Sequence, residues 1–284
     1  MINNERIGIG IVTCSRKNIF QKLHKSLIQC EDIIDRLVVF EDVKGERPFG
    51  DGGYAEDMLF NWNGSHRCVL ANENKGVGKA KNYCLRDLLI DGCDHIFLIE
   101  DDICIRDSSV FEKYIEASKV SGIQHFNYSQ HGVMNKTYGC GVDTPMPNPR
   151  FIMDYGPLRI PLYPHCVGAF SYYSRKCLED VGLLDERYYN ACEHVDHTYE
   201  VIKAGMHPPF WYFADIDHSD FYLEDDPWSI EKSTISSNPR HKEMMIDADK
   251  IFVTKHGLLP AQIPLTSEKE VINSLKQIKK NHEK

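Results

Sequence analysis

The run Phe97-Leu98-Ile99-Glu100-Asp101-Asp102-Ile103 sets three consecutive acids at the end of an apolar, strand-like segment. Open α/β sheets gather their ligands at the carboxyl ends of their strands, so this is where a ligand-binding cluster is expected. Side chains alternate along a strand, which puts Glu100 and Asp102 on one face and Asp101 on the other. Two carboxylates on one face make a hard-oxygen site suited to Mg2+ or Mn2+, ions able to bridge a diphosphate. The other reading is a solvated acidic turn. Three adjacent acids between Ile99 and Ile103 are uncomfortable there unless something cationic meets them.

Outward from this run, the first hundred residues alternate between two periodicities. Ile7 to Thr13 reads as a short β-branched strand. Asn18 to Cys30 carries Phe20, Leu23 and Leu27 at helical spacing, and Leu37 to Phe40 is a second apolar run. Residues 44–64 are rich in glycine and charge and read as a loop. Cys68 to Ala71 reads as a strand, and Lys79 to Leu89 as a helix with Ala80, Cys84 and Leu88 on one face. His95 to Ile99 then leads into the acids. Strands alternating with helices predict a parallel sheet covered by helices.

From about 126 to 165 the chain is irregular, with Gly, Pro, Asn and Tyr throughout, as functional loops are. Helical spacing returns at Ser174–Val181 and near Glu193–Ala204, and Phe210 to Phe213 reads as an aromatic strand. A last helix is expected from Ser267, with Glu270 completing a capping box and Val271, Leu275 and Ile278 forming a stripe that packs on the body. The tail reads as separable.

The 284 residues are 42% hydrophobic and 26% charged, which predicts a sizeable core. A net charge of −9 argues against nucleic acid as the main partner, since a polyanion needs a concentrated basic surface. No apolar stretch is long enough to predict a membrane span. The N-terminal residues lack the pattern of a secretory signal, and the ten cysteines are scattered with no C-x-x-C pair. Free thiols in a reducing cytoplasm are the expectation.

Several pieces together resemble the GT-A glycosyltransferases, in particular the large inverting family called family 2. Glu100-Asp101-Asp102 looks like their D-x-D motif. Ile9 to Arg16 resembles the first strand and its nucleotide-contacting turn, and Val38-Val39-Phe40-Glu41-Asp42 the second strand with its terminal acid. Asn72-Glu73-Asn74-Lys75-Gly76-Val77-Gly78-Lys79-Ala80-Lys81-Asn82 resembles the N-x-G-x-x-x-A-x-N stretch beside the donor. Gly168-Ala169-Phe170, followed by Val181 to Tyr188 with Asp185-Glu186-Arg187, resembles the acceptor-side G-G-F-D-E-R-F pattern. The match spans roughly residues 5–225.

The resemblance implies a GT-A-like three-layer α/β/α fold with a mostly parallel mixed central sheet. It implies a catalytic domain over 1–225, whose nucleotide-binding half is about 1–105 and acceptor-binding half about 106–225. Residues 226–284 are then a C-terminal extension. The implied activity is metal-dependent transfer of a sugar from a nucleotide-diphosphate sugar to an acceptor hydroxyl, with inversion. UDP is the default donor nucleotide by family frequency, and the acceptor a glycan or lipid-linked glycan, as in polysaccharide biosynthesis.

Thr13, Ser15, Arg16, Glu41, Asp42, Asn72, Lys75, Gly76, Lys79, Asn82 and Asp101 are the implied donor-binding residues. Lys75 and Lys79 beside two glycines at a helix start suit an anionic phosphate, while Asp42 fits equally a cap for the next loop. Asp185 and Arg187 fit local loop bonds. Glu100 and Asp102 are the implied metal ligands for Mn2+ or Mg2+. His218, within Ala214 to Asp220, is where the family often has a histidine that completes the metal shell or contacts the diphosphate. Trp211, Tyr212 and Trp228 offer rings to sugars, with core packing the alternative for at least one.

Inverting transfer needs a general base. The family's E-D-x-D type motif falls on Glu193-His194-Val195-Asp196, where His194 replaces the second acid. Glu193, His194 and Asp196 remain three candidates; an imidazole titrates near neutrality and is chemically able. Two other functions compete. A sugar-nucleotide pyrophosphorylase would use a related sheet, but Thr13-Cys14-Ser15-Arg16 lacks its glycine-rich signature. A degenerate, non-catalytic carbohydrate- or partner-binding module is the other.

Overall fold

A computed structural model describes residues 4–48, 50–137, 146–225 and 238–283. In chain order its strands are β1 (Ile7–Cys14), β2 (Arg36–Asp42), β3 (His66–Leu70), β4 (His95–Glu100), β5 (Ile103–Ile105), β6 (His125–Asn127), β7 (Lys136–Thr137), β8 (Met146–Pro147), β9 (Phe151–Asp154), β10 (Arg159–Tyr163), β11 (Phe170–Ser174), β12 (Phe213–Ala214) and β13 (Leu223–Asp225). The helices are α1 (Lys17–Leu27), α2 (Ala55–Leu59), α3 (Val77–Ile90), α4 (Ser109–Ser121), α5 (Arg175–Val181), α6 (Glu193–Lys203), α7 (Ser219–Tyr222), α8 (His241–His256) and α9 (Glu268–His282).

Six strands form the central sheet in the order β3-β2-β1-β4-β11-β6. β1 to β4 run parallel, and β11 lies antiparallel between β4 and β6. The central strands are apolar throughout because both faces are covered. Alternation along β4 shows it: Phe97 and Ile99 pack with α1, α4 and α9, whereas Ile96 and Leu98 pack with α3 and α5. Three α/β/α layers result, with a mostly parallel mixed sheet, as the sequence implies. Gly8 and Gly10 bring α3 close to β1; a Cβ at Gly8 would lie 2.6 Å from Cys93 Sγ, and one at Gly10 2.7 Å from Cys84 Cβ.

Three sequence expectations are corrected. The loop over 44–64 contains α2, whose first N–H groups are held by the Glu41 carboxylate. The irregular stretch holds the antiparallel pair β9–β10; residues 138–145 within it lie outside the described residues. Phe210 to Phe213 is not a strand: Trp211 has φ +73°, in the left-handed region, and pairing begins only at Phe213. There Trp211 Nε1 donates to the Ile263 carbonyl and Tyr212 OH to that of Thr266, so both rings anchor the C-terminal segment.

That segment is packed on the body. The α9 stripe of Val271, Leu275 and Ile278 joins the core beneath α4, and the Ser267–Glu270 capping box is formed. Phe252 of α8 is buried with Phe210 and Phe213. Among the described residues no helix is long and apolar enough to cross a membrane.

Candidate active site

The carboxyl ends of β1 and β4 open into a cleft of about 710 Å³. This lies within the usual range for small-molecule sites. Its walls come from Cys14 and Arg16 after β1, Asn74 and Gly76 before α3, the loop from Arg187 to Ala191, and Met244 and Asp247 of α8. Glu100 and Asp102 both line it.

Asp101 points the other way and is fully buried. It accepts a 2.5 Å hydrogen bond from Thr13 Oγ1 and is clamped by the Arg16 guanidinium. Burial, helped by the neighbouring Asp102, pushes its carboxyl up to about 7 against the pull of Arg16. Arg16 also donates to Asp102 Oδ2 at 3.1 Å. Asp102 Oδ1 is buried with no hydrogen-bond partner among the described residues. An orphaned anionic oxygen is costly, and a cation relieves the cost. Burial and the nearby Glu100 raise the Asp102 carboxyl above its ordinary value, against the pull of Arg16. These oxygens fit a hard divalent cation. Among the described residues no group of three His, Cys, Asp or Glu side chains is arranged around one, so the protein's own side chains would supply only part of its shell.

Behind the acids lies Lys81, which sequence reasoning missed. Its buried ammonium donates to Glu100 Oε1 and Glu193 Oε1, each at 2.8 Å, and to the Gly168 carbonyl at 3.2 Å. It joins the end of β4 to the start of α6. Burial works against ionisation of both acids, but Lys81 outweighs it and holds each below its ordinary range. His194 Nδ1 lies 3.3 Å from Glu193 Oε1, and its ring is half-buried over Gly168. Asp196 is turned away from the cleft and takes Tyr188 OH, Lys255 Nζ and His256 Nε2.

Of the implied donor residues, Arg16 and Gly76 reach the cleft wall. Thr13 is occupied with Asp101 and Tyr54. Ser15 accepts the Lys44 N–H, and Glu41 is enclosed by Arg47 and the start of α2. Asp42 caps the next loop, accepting the N–H groups of Val43 and Lys75. Asn72 and Lys79 are exposed, and Lys75 pairs with Glu73. Asn82 holds Leu184 at both its N–H and its carbonyl. Arg187 is bonded to Asp185 within its loop.

At the N-terminus of α3, two backbone donors are already engaged. The Val77 and Gly78 N–H groups donate to the carbonyls of Tyr189 and Tyr188, at 2.8 and 3.3 Å. Gly76, at φ +80°, permits this contact; a Cβ there would lie 2.6 Å from the Tyr189 carbonyl oxygen. These two N–H groups are therefore satisfied by the protein itself.

His218 is exposed, 3.8 Å from Asp217, and does not line the cleft. A different histidine is near the acids. His131 donates from Nδ1 to Asp225 Oδ1 at 2.8 Å, and Asp225 pairs in register with Ile103, next to Asp102. Although burial opposes its charged form, Asp225 outweighs burial and raises the His131 imidazole above its ordinary value. Trp228 lies outside the described residues.

No protein-family model matches the chain. It is 26% identical over 261 residues to an uncharacterized glycosyltransferase of Acanthamoeba polyphaga mimivirus, covering 88% of this chain and 93% of that protein. Among solved structures it is similar to the mannosyltransferase PcManGT from Pyrobaculum calidifontis, in complex with GDP-Man and Mn2+. That match has a TM-score of 0.58 and 10% identity over 98% of this chain and 74% of that one. S. aureus TarS matches with a TM-score of 0.53 and 11% identity, over 98% and 71% of the two chains. GalNAc-T7 with UDP, GalNAc and Mn2+ matches with a TM-score of 0.54 and 10% identity, over 100% and 55%. The fold of this chain is thus the GT-A fold that its motifs resemble.

Proposed function

We propose that this GT-A chain is a metal-dependent glycosyltransferase, moving a sugar from a nucleotide-diphosphate sugar to an acceptor hydroxyl with inversion. The observation that carries the proposal is the pairing of Glu100 and Asp102 in the cleft, with Asp102 Oδ1 buried and unbonded. Mn2+ or Mg2+ held by these two acids would neutralise the charge that develops on the departing diphosphate. UDP is the first donor nucleotide to try and GDP the second; the sugar is set by the cleft walls. The mimivirus relative bears the glycosyltransferase name, and two structural neighbours are complexed with Mn2+, which supports the same reading.

The chain's own residues divide the remaining work. Arg16 holds Asp101 and Asp102 in place, so the acids are set before any ligand arrives. Asn74, Gly76 and the 187–191 loop shape the donor side of the cleft, and α8 walls it opposite. On the other side of Lys81 lie Glu193 and His194, to which this reading gives the taking of the acceptor proton. Preset groups of this kind lower the barrier because they need no rearrangement as charge moves.

Thermal unfolding with UDP or GDP, each with and without Mn2+, tests the reading. A nucleotide at a hundred times its dissociation constant should add about 2.7 kcal/mol of stability. We expect that gain for one nucleotide, only with metal, and expect Asp102→Asn to lose it while remaining folded. A folded wild-type protein that responds to neither nucleotide would remove the donor site from the proposal. Metal-dependent binding without turnover of any sugar nucleotide would favour a binding module.

A further inference from the structure

Resting on the transferase reading, we propose that His194 is the general base, that Glu193 orients it, and that Lys81 is a positioning residue fixing Glu193. Three side chains of the same segment compete, and their surroundings separate them. Asp196 has a 1% exposed side chain already bonded to Tyr188, Lys255 and His256, so no acceptor hydroxyl can reach it. Glu193 has a 3% exposed side chain, and its Oε1 is shared by Lys81 and His194. A carboxylate beside a buried ammonium binds a proton weakly and makes a poor base.

His194 is the candidate left with an accessible face, at 22% side-chain exposure. Its ring lies against Gly168, where a Cβ would come within 2.7 Å of its Cγ, so only glycine there lets it seat. With Nδ1–H donating to Glu193, the lone pair resides on Nε2, which has no hydrogen-bond partner among the described residues. A carboxylate fixing the tautomer of an imidazole is how such a base is prepared. Ala191 lines the cleft, Cys192, at φ +68°, turns the chain into Glu193, and His194, though not itself a cleft-lining residue, packs on Gly168, next to the Ala169 carbonyl that accepts the Glu100 N–H. Through Lys81 the same carboxylate is tied to Glu100, so one ammonium fixes both the acid at the donor and the orienter of the base.

In the step, the acceptor O–H proton passes to His194 Nε2 while the oxygen forms its bond to the anomeric carbon. The bond from that carbon to the diphosphate oxygen breaks, and its electron pair leaves on the nucleotide diphosphate. Products are the glycoside, the nucleotide diphosphate and an imidazolium beside Glu193, which returns its proton to water.

The test follows nucleotide diphosphate release from UDP-glucose, UDP-galactose, UDP-N-acetylglucosamine and GDP-mannose with Mn2+, in the presence of p-nitrophenyl glycoside acceptors. His194→Ala should lower kcat about 100-fold or more with donor KM unchanged. Its nucleotide-induced thermal shift should match wild type, and added imidazole should restore part of the turnover. His194→Gln, closer in volume, should show the same loss without rescue. His194→Ala turning over at the wild-type rate would overturn the assignment, as would a larger loss in Glu193→Gln than in His194→Ala. Both of those outcomes leave the transferase reading standing. A folded wild-type protein that releases nucleotide diphosphate from none of the four donors would overturn that reading and the base assignment together.

Discussion

Lys81 is a buried ammonium shared by two acids, Glu100 and Glu193. Removing one partner from a buried ionic cluster strands the others, at a cost of about 3–5 kcal/mol. Lys81→Met should therefore destabilise the fold by about that amount in urea denaturation at pH 7, because Glu100 and Glu193 then face each other without a cation. The Glu193 carboxyl is held below its ordinary value of 4.5, so its share of the stability is present above that pH and lost as pH falls below it. The gap between Lys81→Met and wild type should accordingly narrow below pH 4.5; a constant gap from pH 7 to 3.5 would mean the loss is packing, not charge. The acids of this cluster were legible because three in a row at an apolar strand end are uncomfortable without a cation. Lys81 was overlooked, yet its signal exists: with Leu85 and Leu88 it falls at i, i+4 and i+7, a lysine inside an apolar stripe. The cleft-facing status of Arg16, against the inward turn of Glu41 and Asp42, had no such signal. Which acid meets solvent at a strand end depends on where Arg47, α2 and Lys75 come from, and these are loop contacts.

At the scale of elements, periodicity located β1 to β4, α1, α3, α6 and α9 because each buries a regular apolar face in the core. It did not deliver α4, although Val110, Phe111, Tyr114 and Ile115 carry a helical pattern. It misread Phe210 to Phe213, where four aromatics look like a strand but serve as anchors around a left-handed Trp211. The partnership of α6 and α8 was beyond reach, since it rests on Asp196 meeting Lys255 and His256 across about sixty residues. Asp196→Ala should loosen α8, the far wall of the cleft, and so raise donor KM more than it lowers kcat; the reverse split would make Asp196 part of the chemistry. A second group of elements, β6, α6 and the turn before β12, carries three buried histidines, His125, His197 and His207. Burial lowers all three below the ordinary 6.5, His207 to about 4. The unfolded chain takes up these protons first, so the stability they confer is present above pH 6.5 and lost as pH falls toward 4. His207 alone accounts for about 3 kcal/mol of that loss. Denaturation midpoints should fall steeply between pH 6.5 and 4, and His207→Gln should flatten the slope by up to one proton.

For the whole molecule, the question is whether residues 226–284 are an appendage to a catalytic domain or part of its body. Sequence made them look separable, because the terminal helix has its own capping box and the family pattern stops near residue 225. The contacts run otherwise. Val271, Leu275 and Ile278 lie in the same core as β1 and β4, Phe252 is buried among Phe210 and Phe213, and Trp211 and Tyr212 donate to carbonyls at 263 and 266. Burying a large apolar side chain is worth roughly 1.5–3 kcal/mol, so these four side chains together contribute on the order of 6–12 kcal/mol. A domain has about 5–15 kcal/mol of net stability in all. A chain ending at Asp225 should therefore fail to fold, shown by loss of near-ultraviolet dichroism and of a cooperative melt. If the truncated chain instead melts cooperatively and still binds nucleotide diphosphate with Mn2+, the first 225 residues are a complete domain. The α8 wall would then be a refinement of the cleft, with its effect confined to which sugar the cleft accepts.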